Sequence, residues 1–115
     1  MIKLYGAMEL ASLAGQAVAK GEHGAWDAAS VFTPNILVAD GRYWLFYTGT
    51  TKRFGRGFVP DSKIGVVVSD SPDGPWERLP ANPVLKNSDK AEDFDSMLID
   101  DSCLMIRDGK VWLYY

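Results

Sequence analysis

The sequence of 115 residues contains one cysteine and one histidine, and each scarcity excludes a class of site. With Cys103 alone, an intrachain disulfide framework and a cysteine-based metal centre are both excluded. With His23 alone, a multi-histidine metal site is excluded too, although a Ser-His-Asp triad is left open. His23 lies in the stretch GEHG and is better explained as a loop residue than as a catalyst.

The chain also lacks a cluster of basic residues and has no apolar run of the ~20 residues that a membrane-spanning helix needs. Its formal net charge is −3, which argues against binding to nucleic acid or to an anionic membrane. The N-terminus carries Lys3 and many small residues, as signal peptides do, but Glu9 and Gln16 interrupt its apolar stretch. We therefore expect neither nucleic acid nor membrane as a partner, and both a cytoplasmic and a periplasmic location stay open.

Aromatic residues, in contrast, are frequent. They make up 12% of a chain that is otherwise ordinary for a globular protein, with 47% hydrophobic and 23% charged residues. The length suffices for one domain with its own core. Aromatic side chains at this density are common in proteins that hold flat, weakly hydrophobic ligands such as sugars.

An internal repeat is the most informative feature. TPNILVADGRYWLFY (33–47) and DSCLMIRDGKVWLYY (101–115) align without a gap, 68 positions apart. Each copy places an Asp-Gly pair, at 40–41 and at 108–109, between two apolar, aromatic-rich runs. Asp-Gly in that setting predicts a two-residue type I′ hairpin turn, so the sequence predicts a repeated β unit.

The first copy continues into two further predicted strands. KIGVVVSD is typical of a buried strand, SPDGPW of a turn, and WERLP of a short edge strand. A sequential meander of four strands, repeated, is the blade of a β-propeller. The predicted strands of this blade are 33–39, 42–49, 63–70 and 75–79.

We accordingly predict an all-β, antiparallel fold with three parts. Residues 1–23 are the remnant of a preceding blade or a short helix, residues 24–80 are a complete blade, and residues 81–115 are an inter-blade loop and the inner two strands of the next blade. One and a half blades cannot close a propeller, so we expect these residues to belong to a longer protein. If they fold by themselves, exposed strand edges should make them either aggregate or pair as homo-oligomers.

The heads of the inner strands are the candidate site, because the inner strand of a blade begins at the mouth of the central channel. The repeat places Thr33 and Asp101 there, and a hydroxyl with a carboxylate suits a ligand rich in hydroxyl groups. Alternatively, Asp100 or Asp101 merely caps the strand or forms an Asx-turn with its backbone. Asp27 is either a ligand contact beside a sugar-stacking Trp26 or a surface turn acid.

One loop looks like a phosphate-binding motif without being one. RFGRG (53–57) lacks the Lys-Ser/Thr that follows the glycines of a phosphate loop, so we interpret it as a pocket rim.

Together, SVFTPNILVADGRYWLFYTG, IGVVVSDSPDGPW and DDSCLMIRDGKVWLYY resemble the five-bladed β-propeller glycosidases of glycoside hydrolase families 43 and 117. The resemblance covers about residues 24–115 and is closest to the neoagarobiose hydrolase type. Phe32-Thr33-Pro34 is similar to the Phe-Thr-Pro that heads one blade in family 117. Asp101-Ser102-Cys103-Leu104 is similar to the Asp-Pro-Cys-Leu that heads the next, with Ser102 in place of proline.

The resemblance implies hydrolysis of O-glycosidic bonds in an oligosaccharide, with inversion. Asp101, or else Asp100, matches the acid that orients the machinery and tunes the pKa of the proton donor. Thr33 and Thr48 match positions that line the sugar subsite. The general base and the proton donor are expected outside these residues, so the chain assayed alone should be inactive.

No cofactor is expected from the sequence. Some family 43-like propellers hold a central cation, but nothing in this sequence identifies its ligands. Two readings compete with the hydrolase: a non-catalytic carbohydrate-binding or structural propeller, and a small β protein whose repeat serves dimer pairing.

Overall fold

The structure is a computed structural model that describes residues 17–52 and 61–115, and all regular secondary structure in those ranges is β. The predicted all-β, antiparallel class is confirmed. No helix in these ranges is long and apolar enough to cross a membrane. The predictions for the first 16 residues and for the RFGRG loop lie outside the described residues.

The strands are β1 (Ser30–Ala39), β2 (Arg42–Thr50), β3 (Lys63–Ser69), β4 (Glu77–Arg78), β5 (Leu85–Lys86), β6 (Cys103–Arg107) and β7 (Lys110–Tyr114).

The first five strands form one antiparallel sheet. Strands β1, β2 and β3 follow one another in space as in sequence, and the outer edge of β3 pairs with both β4 and β5. Between these two short strands the side chain of Asn82 continues the pairing. Its Oδ1 accepts from Val66 N at 2.8 Å and its Nδ2 donates to Val66 O at 2.8 Å. The buried backbone of β3 is thereby satisfied where the outer strand is interrupted.

Both predicted hairpin turns are confirmed. Strands β1 and β2 are joined by Asp40 and Gly41, with φ of 52° and 72°, and β6 and β7 by Asp108 and Gly109, with φ of 53° and 69°. Positive φ at both central positions defines the type I′ turn, and the Asp-Gly pair supplies it at little steric cost.

The heads of the two inner strands share a backbone irregularity. Strand β1 shifts register between Phe32 and Asn35, and Thr33 inside that bulge has a φ of 46°. Asp101, the residue equivalent to Thr33, has a φ of 47° immediately before β6. Positive φ is uncommon outside glycine, so its recurrence extends the repeat from sequence to backbone conformation.

The repeat also begins earlier than the sequence analysis predicted. In the segment before β1, Ala25 N donates to Glu22 O and Ala28 N donates to Ala25 O. Sixty-eight positions later Asp93 N donates to Lys90 O, and Ser96 N to Asp93 O. Part of the expected inter-blade loop is therefore the second copy of the segment that leads into the first hairpin, and β5 within it belongs to the first sheet.

The two faces of the first sheet bury separate cores. On one face Leu45, Tyr47 and Val67 are covered by the segment that contains Trp26. On the other face the β6–β7 hairpin packs over the sheet; the cluster there comprises Phe46, Ile64, Val66 and Ile99, with Trp44, Leu79, Leu85, Leu104 and Leu113 against it. The sheets thus stack face to face, as consecutive blades of a propeller do.

Candidate functional site

A carboxylate and two hydroxyls meet where the inner strands begin. Asp100 Oδ1 accepts hydrogen bonds from Thr33 Oγ1 at 2.7 Å and from Thr48 Oγ1 at 2.9 Å. The two threonine oxygens lie 2.8 Å apart. We call these three residues the Thr–Asp cluster; it joins β1 and β2 of the first sheet to the segment that enters β6.

The bulge in β1 makes this meeting possible. Thr48 lies on β2 with 0% of its surface exposed, and its backbone partner on β1 is Phe32 rather than Thr33. In a regular strand successive side chains point to opposite faces of the sheet. Thr33 would then point away from the face that carries Phe32 and its partner Thr48. Because of the bulge and the positive φ, the Thr33 hydroxyl instead lies beside the Thr48 hydroxyl.

The two adjacent acids have different environments. Asp100 is half-buried, and its Oδ1 also accepts from the backbone N of the next residue, Asp101, at 2.8 Å. Asp101 is exposed, and its carboxylate forms no hydrogen bond or ion pair with any residue in the described ranges. Asp100 is therefore held by neighbouring residues, whereas the Asp101 carboxylate has no such partner in the described ranges.

Two polar contacts hold the segment around Asp101 in place. Asn35 Nδ2 on β1 donates to Ser102 O at 2.8 Å, and the buried Ser62 Oγ accepts from Ile99 N at 2.8 Å. Ser102, which replaces the proline of the resembling family, is 4% exposed, and its Oγ has no partner among the described residues. The strand entry is thus anchored on both sides of the acid pair.

Asp27 and Trp26 lie on the other face of the first sheet. Asp27 is 1% exposed, pairs with Arg78 Nη1 and accepts from Tyr47 Oη at 2.9 Å. Trp26 stacks on Tyr47 with ring centroids 5.6 Å apart. Both side chains are thus engaged inside the protein, and their predicted contacts with a sugar stay predictions.

Burial shapes the electrostatics around Asp27. Burial, and next the hydrogen bond to Asp27, raise the pKa of Tyr47 well above its usual value. For Arg78, burial acts to lower the pKa, but the hydrogen bond to Asp27 and the neighbouring Tyr47 outweigh it, so the pKa rises. The result is a neutral phenol between a carboxylate and a guanidinium cation.

Several structural residues of this region were not predicted. Arg78 was part of a presumed half-exposed edge strand, and Asn82 of a presumed loop. A signal for the Asp27 environment was available, because Trp26-Asp27 and Phe94-Asp95 stand 68 positions apart, in register with the repeat. No group of three or more His, Cys, Asp or Glu side chains within the described ranges could hold a metal ion.

Comparison with known proteins gives matches of two kinds, one to a family model and others to solved structures. The family model described as Glycosyl hydrolases family 43 matches residues 5–115. Among solved structures, Zg3597, a family 117 glycoside hydrolase produced by the marine bacterium Zobellia galactanivorans, matches with a TM-score of 0.70 and 30% sequence identity. That alignment covers 88% of this chain and 29% of the solved chain. No curated protein matches significantly.

Proposed function

Because the chain belongs to glycosyl hydrolases family 43, we propose that it forms part of an enzyme that hydrolyses O-glycosidic bonds of an oligosaccharide. The likeness to a family 117 glycoside hydrolase supports the same reaction class. The narrower prediction, a neoagarobiose hydrolase, stays a prediction. The substrate is a carbohydrate, and the chemistry takes place at the head of the inner strands.

We assign to Asp101 the role of orienting the proton donor and tuning its pKa. The supporting observation is that the two acids have different partners. Asp100 Oδ1 accepts from two threonines and a backbone amide, whereas the exposed Asp101 carboxylate has no partner among the residues that the structure describes. An exposed carboxylate with unused acceptor sites can act on a donor from another part of the protein. Asp100 is then a positioning residue that fixes the backbone from which Asp101 projects.

The proposed mechanism is inverting hydrolysis. A general base activates water on one face of the sugar while an acid protonates the leaving oxygen on the other, with ~6.5–9.5 Å between the two carboxyl groups. A third carboxylate near the acid raises its pKa by like-charge repulsion and keeps it protonated near neutral pH. Asp101 supplies that third charge.

We assign different roles in the proposed sugar subsite to the two threonines. Thr48 is fully buried, so we assign it to the support of Asp100. Thr33 is half-buried on the bulge, and we assign it to the sugar-facing side, where its hydroxyl can accept from a sugar while it donates to Asp100.

The first prediction is tested in the whole protein that contains these residues. Asp101→Asn should lower kcat by about 10²-fold or more while the thermal midpoint changes little, since an exposed acid is replaced by its isostere. The high-pH limb of the rate profile should move to lower pH, because removing a negative neighbour lowers the pKa of the proton donor. Asp108→Asn, in the exposed hairpin turn, is the matched control.

Asp100→Asn separates positioning from chemistry. It should lower the thermal midpoint, because the amide can no longer offer the two threonines a charged acceptor. An Asp101→Asn enzyme with nearly unchanged turnover and an unmoved pH profile would refute the assigned role. If that variant lost only affinity for sugar, a non-catalytic carbohydrate-binding propeller would be favoured instead.

A further inference from the structure

The segment before β1 is fastened to β2 by three side chains, Trp26, Asp27 and Tyr47, which we call the first clamp. Tyr47 Oη donates to Asp27 Oδ2 at 2.9 Å, and the rings of Trp26 and Tyr47 stack at 5.6 Å with 22° between their planes. Thus Trp26 contacts the ring of Tyr47, and Asp27 contacts its hydroxyl.

The same arrangement recurs 68 positions later in Phe94, Asp95 and Tyr115, the second clamp. Tyr115 Oη donates to Asp95 Oδ2 at 3.0 Å, and the rings of Phe94 and Tyr115 stack at 5.9 Å with 27° between their planes. Although phenylalanine replaces tryptophan, the hydrogen bond and the stacking are reproduced. The clamp is therefore a property of the repeat and not an isolated contact.

The first clamp has an occupant, and it is a pair of antiparallel strands. Arg78 of β4 pairs with Asp27 Oδ2, donates to Tyr47 Oη at 2.7 Å and lies 5.7 Å from the centre of the Tyr47 ring. Gly65 of β3 is the backbone partner of Tyr47 and leaves room for the Trp26 ring above it. With this strand pair in place, Asp27 and Tyr47 are each 1% exposed.

The second clamp has no such cover from the described part of the chain. Phe94 is 85% exposed and Tyr115 is 44% exposed. Strand β7 pairs with β6 alone among the described strands, so its outer edge presents unpaired backbone groups. An aromatic pair, a carboxylate and a free strand edge therefore lie together on one surface.

We propose that the second clamp and the outer edge of β7 form a docking surface for an antiparallel strand pair whose outer strand carries an arginine. The inner strand of the partner pairs with β7 and places a glycine opposite Tyr115, as Gly65 stands opposite Tyr47. The arginine bonds Asp95 and Tyr115 as Arg78 bonds their equivalents.

The chemistry of the surface selects arginine over lysine. Arg78 Nη1 bonds a carboxylate and a phenol oxygen together while Nη2 donates to Ala19 O, and the guanidinium lies over the Tyr47 ring. A planar guanidinium with several donors in a fixed fork can do this, whereas an ammonium has no such fork. At the second clamp the hydrogen bond to Asp95 raises the pKa of Tyr115, so the phenol stays a neutral partner at physiological pH.

The experiment uses a strand pair that the chain itself provides. A fluorescein-labelled peptide of residues 61–80, which contains β3 and β4, is titrated with the 115-residue chain and followed by fluorescence anisotropy. Hydrogen exchange of the β7 amides is measured with and without the peptide. We expect saturable binding and slowed exchange along the outer edge of β7.

Matched variants test the role of the arginine. The peptide with Arg78→Gln and the chain with Asp95→Asn should each bind about tenfold more weakly, the size expected for losing one partner of a partly desolvated ion pair with a cation–π contact. Asp108→Asn, which removes an acid from the exposed turn of the same hairpin, should bind as the unchanged chain does.

Three results would overturn the proposal. One is equal binding of the peptide with and without Arg78→Gln, and another is binding that leaves β7 exchange unaltered. The third is a stable dimer, seen by sedimentation in the absence of peptide, that Asp95→Asn dissociates, which would make a second copy of the chain the occupant.

Discussion

At the scale of single residues, the backbone conformation that places Thr33 in the Thr–Asp cluster is strained. Its φ of 46° lies in the left-handed region, which a β-branched side chain enters only under constraint. Such a residue costs on the order of 1–3 kcal/mol and persists where its surroundings over-determine it. Here the surroundings are the hydrogen bond that its hydroxyl donates to Asp100 and the Thr48 hydroxyl that lies beside it.

This balance predicts that one substitution of Thr33 destabilises the protein and that another does not. Thr33→Val keeps the branched side chain but removes the hydroxyl, so it should lower the free energy of unfolding by about 1–3 kcal/mol. Thr33→Ser keeps the hydroxyl and removes the branch, so it should be nearly neutral. Urea denaturation of both variants is the measurement, and equal stability of the two would show that the hydroxyl does not support the bulge.

The distinction between Asp100 and Asp101 could not be made from sequence. Strand alternation assigns neighbouring residues to opposite faces, but it presumes extended backbone, and Asp101 has a φ of 47° just before the strand begins. The equivalence of Asp101 and Thr33 was predicted correctly because their chain positions repeat. Which acid bonds the threonines depends on backbone conformation, which the amino-acid pattern does not encode.

At the scale of elements, the first sheet depends on a glycine that lets an aromatic ring lie against β3. A Cβ at Gly65 would come within 2.6 Å of Trp26 Cη2 and 2.9 Å of Tyr47 Cζ. Both atoms belong to rigid rings in a packed core, so neither can move aside without disturbing its neighbours.

Gly65→Ala should therefore lower the free energy of unfolding by about 1–3 kcal/mol through overpacking. A double-mutant cycle provides the control, since the added methyl group should cost clearly less in a Trp26→Ala background. Thermal or urea unfolding of the four proteins gives the result. A cost independent of Trp26 would assign the effect to the backbone of β3 rather than to ring packing.

The elements that the sequence predicted well are those with a local chemical cause. The hairpins follow from Asp-Gly turns between apolar runs, and β3 from its buried valines. Strand β5 was missed because it is only two residues long, too short to show a periodic pattern. In addition, the pairing of the outer strand with β3 is completed by the side chain of Asn82 rather than by backbone. Such pairing depends on the three-dimensional position of β3.

At the scale of the whole molecule, one polar network, with a buried Asp27 and Tyr47 and a partly exposed Arg78, joins three separate parts of the chain. Asp27 belongs to the segment before β1, Tyr47 to β2 and Arg78 to β4, and Arg78 also donates to Ala19 O. The network closes over the core that contains Leu45. Because Asp27 and Tyr47 are each 1% exposed, a change in the protonation of Tyr47 should change the stability of the sheet.

The pKa of Tyr47 turns this network into a prediction about alkaline pH. Burial raises the folded-state pKa of Tyr47 above the value of about 10 for an unfolded chain. The stabilisation is fully present below pH ~10 and is lost as the pH rises above it, because the unfolded chain then releases a proton that the folded chain retains.

Tyr47→Phe should flatten the fall in unfolding free energy between about pH 9 and 11, measured by urea denaturation. Tyr115→Phe, at an exposed residue, should change this slope less. An unchanged slope in Tyr47→Phe would mean that other groups govern alkaline unfolding and that the network does not bind all three parts together.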